Sequence, residues 1–429
     1  MAEKTFGNKT RTIFLTLNAT LLFLLTIGIG FAAGDSPPDA TRNLLTIEAG
    51  SIDLSAQDLR FRENHFGGFW PDGGYFQASL QSLIPLGEKG TLTLEPVFNS
   101  DDNEIFLRRG FGHLVLSNTF LEVGRNSLWF GPGRHGALIM SNNGFPFDMV
   151  RLGSETPFLL PGFLARIGLL EAELFLTQLE ENRKFPRPNL IGLRFQAHPS
   201  DRFTIGLSRV TLFGGEGRPS VTASDFLKIL FGKPNQPGEL EVNELAGVDL
   251  SFLTPLEKIL PGHQLELYLE YAGEDEAGYL PSRGGTLYGL EWKDARRQFI
   301  IEYANNHVSC CPNFWYNHAI YPYTYRGNII GHHMGSDAED LYIRLVPFSY
   351  EEWGYGIDMD KENTLSDAPS GFGCLPKPCV KERWIGGADV TYIQNISLRY
   401  TLRYQREVLM RTSLINKSNY TWLTLQWSF

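Results

Sequence analysis

Thr421-Trp422-Leu423-Thr424-Leu425-Gln426-Trp427-Ser428-Phe429 closes the chain, and its side chains alternate in character. Thr421, Leu423, Leu425, Trp427 and Phe429 fall on one face, while Trp422, Thr424, Gln426 and Ser428 fall on the other, which is the period of an extended strand. A carboxyl-terminal aromatic on the apolar face of such a strand is what barrel-assembly machinery recognises. The stretch therefore predicts an outer-membrane β-barrel whose final strand ends at Phe429.

The same period recurs upstream. In Gln264 to Tyr271, the side chains Leu265, Leu267, Leu269 and Tyr271 oppose Gln264, Glu266, Tyr268 and Glu270; in Leu398 to Gln405, Leu398, Tyr400, Leu402 and Tyr404 oppose Arg399, Thr401, Arg403 and Gln405. A soluble sandwich would alternate too, but charged residues at every second position suit a wet lumen behind a lipid-facing wall. At roughly ten residues per strand plus its turn, the chain holds roughly 16 to 18 strands.

Composition agrees. Aromatics make up 13% and glycines number 44, a mixture that favours strands and tight turns. The net charge of −10 leaves no dense cationic face, so nucleic acid is excluded as a partner. Lys4, Lys9 and Arg11 precede an apolar run, Ile13 to Ile29, and Phe31-Ala32-Ala33-Gly34 offers small residues for cleavage. Residues 1–34 thus read as a secretory signal peptide. Residues 35–67 are expected to be a short periplasmic segment, and 68–429 the barrel. Cys310, Cys311, Cys374 and Cys379 would meet an oxidising compartment, where disulfides of open connectivity are the first expectation.

Long insertions interrupt the strands. Glu216 to Asn243 contains a helix-like piece, Ser224 to Phe231, which Ser224 could cap and which could serve as a plug or lid. Two segments are dense in special residues. The first is Trp129-Phe130-Gly131-Pro132-Gly133-Arg134-His135-Gly136, followed by Ser141-Asn142-Asn143. The second holds Trp315-Tyr316-Asn317-His318, Tyr321, Tyr323, Tyr325-Arg326 and Gly331-His332-His333-Met334-Gly335-Ser336-Asp337.

With those segments, Gly192-Leu193-Arg194, Leu207-Ser208-Arg209, Phe213-Gly214-Gly215, Ala246-Gly247-Val248-Asp249 and Gly273-Glu274-Asp275, the chain resembles the Wzi family of outer-membrane capsule-assembly proteins. The similarity covers roughly Gly68 to Leu345. It implies a monomeric barrel near 18 strands that binds capsular or extracellular polysaccharide and attaches it to the cell surface without catalysis. The family often carries a periplasmic helical bundle ahead of the barrel, for which residues 35–67 leave little room.

Sugar rings stack on aromatic faces, while polar side chains satisfy hydroxyls or uronic carboxylates. By that chemistry the candidate polysaccharide-binding residues are Trp315, Tyr316, His318, Tyr321, Tyr325, Arg326, His332 and Asp337. The same residues could instead form a luminal network that plugs the barrel, with Arg194, Arg209 and Arg344 pairing acids of neighbouring strands. His332, Ser336 and Asp337 superficially suggest a hydrolase, yet no nucleophile elbow or zinc-protease motif accompanies them. No catalytic residue, cofactor or metal is expected. A diffusion porin is the rival reading, which needs an open lumen.

Overall fold

The computed structural model describes residues 41–53, 62–68, 73–231, 240–277, 280–312, 314–349, 352–365, 381–411 and 414–429. The expected signal peptide at 1–34 and the pair Cys374 and Cys379 lie outside them. Eighteen antiparallel strands run in chain order: β1 Arg42–Asp53, β2 Gly73–Pro85, β3 Gly90–Asn99, β4 Glu104–Leu116, β5 Thr119–Asn126, β6 Phe147–Ser154, β7 Leu169–Gln178, β8 Asn189–Ser200, β9 Phe203–Phe213, β10 Asn243–Leu253, β11 Gln264–Ala277, β12 Leu280–Lys293, β13 Gln298–Asn305, β14 Ala338–Ser349, β15 Trp353–Thr364, β16 Glu382–Asn395, β17 Leu398–Arg411 and β18 Leu414–Ser428. Each pairs with its sequence neighbour, and β1 also pairs with β18, matching Ile47 to Leu425 and Gly50 to Trp422. That last pairing closes the cylinder and abolishes its edges, as a backbone in lipid requires.

The alternation decides which way each residue faces. In β11, Leu267 and Tyr271 are exposed on the outer surface, whereas Tyr268 and Glu270 are buried inside. In β17, Leu402 and Tyr404 face out, and the Arg403 guanidinium points in to the Asp358 and Asp389 carboxylates at 2.7 and 3.1 Å. Leu114, Val123, Val150, Leu176, Leu207 and Ile357 add to an exposed aliphatic belt that water would penalise and lipid accepts.

The barrel begins earlier than the sequence reading placed it. Strand β1 lies within residues 35–67, and Arg62 reaches back to Glu48 on it at 2.9 Å. The Leu44-Leu45 pair puts an aliphatic on both faces of β1, which masks its period.

The two ends of the barrel differ. At one end the connections are brief, as at 117–118 and 201–202; at the other they are long, as at 127–146, 214–242 and 306–337. The connections 127–146 and 306–337 fold inward. Leu128, Phe130, Leu138, Ile139 and Met140 from the first, and Trp315, Tyr316, Tyr321, Tyr323, Tyr325, Ile329 and Ile330 from the second, pack on inward side chains of the wall such as Phe175, Leu190, Val210, Leu212 and Leu245. The lumen therefore contains a hydrophobic core, and loops fill it.

The helix does something else. Helix α1, Ala223–Phe231, begins at Thr222, whose hydroxyl accepts the Asp225 amide proton at 3.2 Å while the Asp225 carboxylate accepts the Thr222 amide proton at 3.1 Å. This reciprocal box places the cap at Thr222 and not at Ser224. Phe226 and Ile229 pack on Ile191, Phe213 and Val242. Phe213 shares its face with exposed Leu207, opposite to the luminal Val210 and Leu212, so α1 covers the outside of the wall. Arg209 is on that outer face as well, paired with Glu244; only Arg194 and Arg344 of the three expected arginines are luminal.

Candidate functional site

A run of glycines lets the loop after β5 turn sharply inside the barrel. Gly131 has φ +143°, in the region L side chains avoid. At Gly136 a Cβ would lie 2.1 Å from His332 Nε2, so only glycine admits the neighbouring loop. The turn aims three successive amides at one wall carboxylate. Arg134, His135 and Gly136 donate their backbone protons to Glu302 on β13 at 2.6, 3.1 and 2.8 Å, and the Tyr268 hydroxyl donates to it at 2.8 Å.

Two more glutamates repeat the device. Glu270 on β11 accepts the amides of Leu138 and Ile139 at 3.0 and 3.3 Å, and Glu274 accepts that of Tyr316. The Arg134 side chain spans to Glu266 and Glu291 at 2.7 and 3.0 Å. Charge-assisted bonds from an acidic wall thus hold the plug backbone in place of water.

The two plug loops also hold each other. The Tyr316 hydroxyl donates to the Leu138 carbonyl at 2.5 Å, and the Tyr323 hydroxyl to that of Ile139 at 2.9 Å. Ser141 Oγ donates to the Gly331 carbonyl at 2.7 Å, and Asn143 to that of Ile329 at 3.0 Å. Burial pushes the Tyr316 and Tyr323 phenols well above their usual range, so both remain donors. Tyr316→Phe and Tyr323→Phe each leave a buried carbonyl without that donor and are expected to cost about 1–3 kcal/mol. Thermal loss of the compact band on semi-native gels checks this; no downward shift in either variant would remove the hydroxyls from the account.

The eight candidate residues are now placed. Trp315, Tyr316, Tyr321, Tyr325, His332 and Asp337 are buried. Trp315 Nε1 donates to the Arg283 carbonyl at 2.8 Å, and the Tyr321 hydroxyl donates to that of Gly214 at 2.9 Å. Tyr325 stacks on Phe147, and Asp337 faces His307 at 2.5 Å. In this conformation these six are the plug. Two reach solvent: His318 is half-buried, and Arg326 is exposed. Arg326, at φ +49°, and Gly327, at φ +85°, form the tight turn of a small hairpin that pairs Thr324 with Ile329, and the Arg326 guanidinium lies 4.2 Å from the Phe145 ring centroid. Ser336 Oγ donates to the Trp315 carbonyl at 2.6 Å and Asp337 takes His307, so these residues do not assemble a triad.

Sequence reasoning missed a polar cavity of about 480 Å³ beside the plug. Arg62, Glu63 and His65, together with Trp129, Arg134 and His135, line it on the loop side; Tyr342, Asp358, Asp360, Arg383, Arg403 and Trp422 line it on the wall side. One signal was available, since Asp358, Asp360 and Glu362 sit at alternate positions and so share the inner face of β15. At its edge three imidazoles meet. The His135 and His333 ring centroids are 4.6 Å apart, those of His332 and His333 4.4 Å, and the His135 ring stacks on Tyr342 at 3.8 Å. Burial alone would push the His135 imidazole down, but Asp360 beside it, with Glu63 and Glu302, holds it up to about 9. Burial, reinforced by the neighbouring His333 and His135, holds His332 well below its usual value.

Comparison with known proteins gives three findings. The family model described as capsule assembly protein Wzi matches residues 49–414. An uncharacterised 55.8 kDa protein of the cps region of Klebsiella pneumoniae is 30% identical over 240 residues, which is 53% of this chain and 44% of that protein, so the match spans less than half of the relative's length. Solved barrels share the fold. The structure of Escherichia coli Wzi, described as a carbohydrate-binding outer-membrane β-barrel involved in group 1 capsule assembly, superposes with a TM-score of 0.69 at 19% identity, covering 89% of this chain and 83% of that one. Pseudomonas aeruginosa OpdL gives 0.53 at 12% identity, covering 91% and 98%.

Proposed function

This chain belongs to the Wzi family of capsule assembly proteins, and from that premise we propose that it holds capsular or extracellular polysaccharide at the cell surface as a non-catalytic lectin. Its place is the outer membrane. The observation that carries the reading is the filled lumen: an 18-strand wall is wide enough for an aqueous channel, and here hydrophobic loops clamped to wall glutamates occupy it. A diffusion porin would keep that space for water.

In outer-membrane barrels the long connections face outward, and on that rule we assign 127–146, 214–242 and 306–337 to the cell exterior. There Arg326 stands at a hairpin tip with a planar guanidinium able to engage a carboxylate or hydroxyl pair of a sugar. We assign direct contact to Arg326 and His318, and to the six buried candidates the support of that platform. Barrel-assembly machinery and outer-membrane lipid are the remaining partners, and the functional unit is a monomer.

The test is binding of the capsular polysaccharide isolated from the source strain to purified protein in detergent. Arg326→Ala should weaken binding about 10–100-fold, the loss of roughly one charge-assisted contact, while stability falls by no more than about 1 kcal/mol, the loss of the guanidinium over Phe145. Full affinity in Arg326→Ala would move the contact elsewhere on the rim. Failure of the unaltered protein to bind would overturn the lectin reading itself.

A further inference from the structure

We propose that His135, His333, Asp340 and Asp360 form a binding site for a divalent first-row transition ion, zinc foremost, which staples both plug loops to the wall. The proposal is independent of the polysaccharide reading.

The four side chains come from four segments. His135 lies on the glycine turn, His333 on the second plug loop, Asp340 on β14 and Asp360 on β15. Their atoms converge: His135 Nε2 and His333 Nε2 are each 3.8 Å from Asp340 Oδ2, and His135 Nε2 is 3.3 Å from Asp360 Oδ2. Bonds of about 2.0–2.1 Å in a tetrahedron give ligand edges of roughly 3.3–3.4 Å. Three edges of the set, at 3.3, 3.8 and 3.8 Å, thus lie within about 0.5 Å of that length.

Orientation singles out His333. Its Nδ1 lies 2.7 Å from the Glu362 carboxylate, an acceptor, so Nδ1 carries the proton and Nε2 presents a lone pair. That Nε2 is buried without a hydrogen-bond partner among the described residues, and the Asp340 and Asp360 carboxyls buried beside it meet each other. Their side chains are 0%, 2% and 3% exposed, where an unsatisfied polar atom is costly. An imidazole backed by a carboxylate and facing an empty lone-pair direction is the arrangement metal sites use. His332 is not in the set. Its Nε2 lies 3.7 Å from Asp340 Oδ2, but its Nδ1 accepts the Met334 amide proton at 3.3 Å, which leaves the proton of the neutral ring on Nε2 as a donor toward that carboxylate and no lone pair there for an ion.

Charge points the same way. Glu63, Asp360 and Glu362 surround Arg383, whose guanidinium also takes Glu407. Carboxylates exceed cations, so a dication would be neutralised and desolvated at little cost. Glu63, His135 and Asp360 line the polar cavity, which gives an ion its path.

The experiment uses tag-free protein in detergent, stripped with a chelator, then titrated with zinc chloride and assayed for bound metal. About one ion per chain is expected, with affinity at least about 100-fold lower in His333→Gln and unchanged in His307→Gln, whose ring pairs with Asp337 outside the cluster. Uptake below about one ion per ten chains, or His333→Gln binding as tightly as the unaltered protein, would overturn the site. Cobalt loading of the unaltered protein needs no variant. Intense visible bands of a four-coordinate ion support the assignment, and the weak bands of a hydrated six-coordinate ion defeat it.

Discussion

Glu302→Ala is expected to lower the stability of the folded barrel by about 3–5 kcal/mol, the scale seen when one partner of a buried, charge-assisted network is removed. Four donors lose their acceptor at once: the amides of Arg134, His135 and Gly136 and the Tyr268 hydroxyl. Pro132, Gly133 and the inward-facing wall leave these amides no alternative carbonyl, because the turn is too tight to form a ladder. Glu302→Gln keeps one acceptor oxygen but turns an amide group toward the donors, so an intermediate loss of about 1–3 kcal/mol follows. Urea unfolding followed by tryptophan emission reads both. An alanine variant as stable as the parent would mean that water replaces the carboxylate, and the clamp would lose its energetic role.

The second large effect is on ion flow. The intact protein in planar bilayers should conduct near background, whereas excision of residues 308–335 behind a short glycine linker should raise conductance at least about tenfold, toward that of open barrels of similar strand number. The excised segment contributes Trp315, Tyr316, Tyr321, Tyr323 and Tyr325 to the luminal core. Its loss exposes apolar wall, so refolding yield should fall even where the barrel closes. High conductance in the intact protein would instead favour the porin reading.

Much of the wall was legible because a strand's period survives any context. Gln264 to Tyr271 and Leu398 to Gln405 face as their alternation dictates, and Trp422 is luminal while Leu423 is on the opposite side. Strand β1 was not legible, since its adjacent leucines blur the two faces. The site was half legible. Sequence picks out 315–337 as dense in hydroxyl-bearing aromatics, but such residues serve equally to stack on a sugar and to cap a buried carbonyl, and only tertiary structure distinguishes the two. Likewise the apolar stripe of Ser224 to Phe231 says that a helix must pack, without saying on which surface of the wall. His135 and Asp360 are 225 residues apart, and no local pattern could join them.

The rim between β9 and β10 is gripped from both sides. Within the lumen Tyr321 donates to Gly214 and its own carbonyl accepts from Asn243, while α1 lies against Phe213 and Val242 on the exterior. A tug on an attached polymer would reach this arc of the mouth as shear against chain on two opposed surfaces, so it cannot splay there without peeling helix and loop together. Contacts on two opposed surfaces thus brace the mouth at that point.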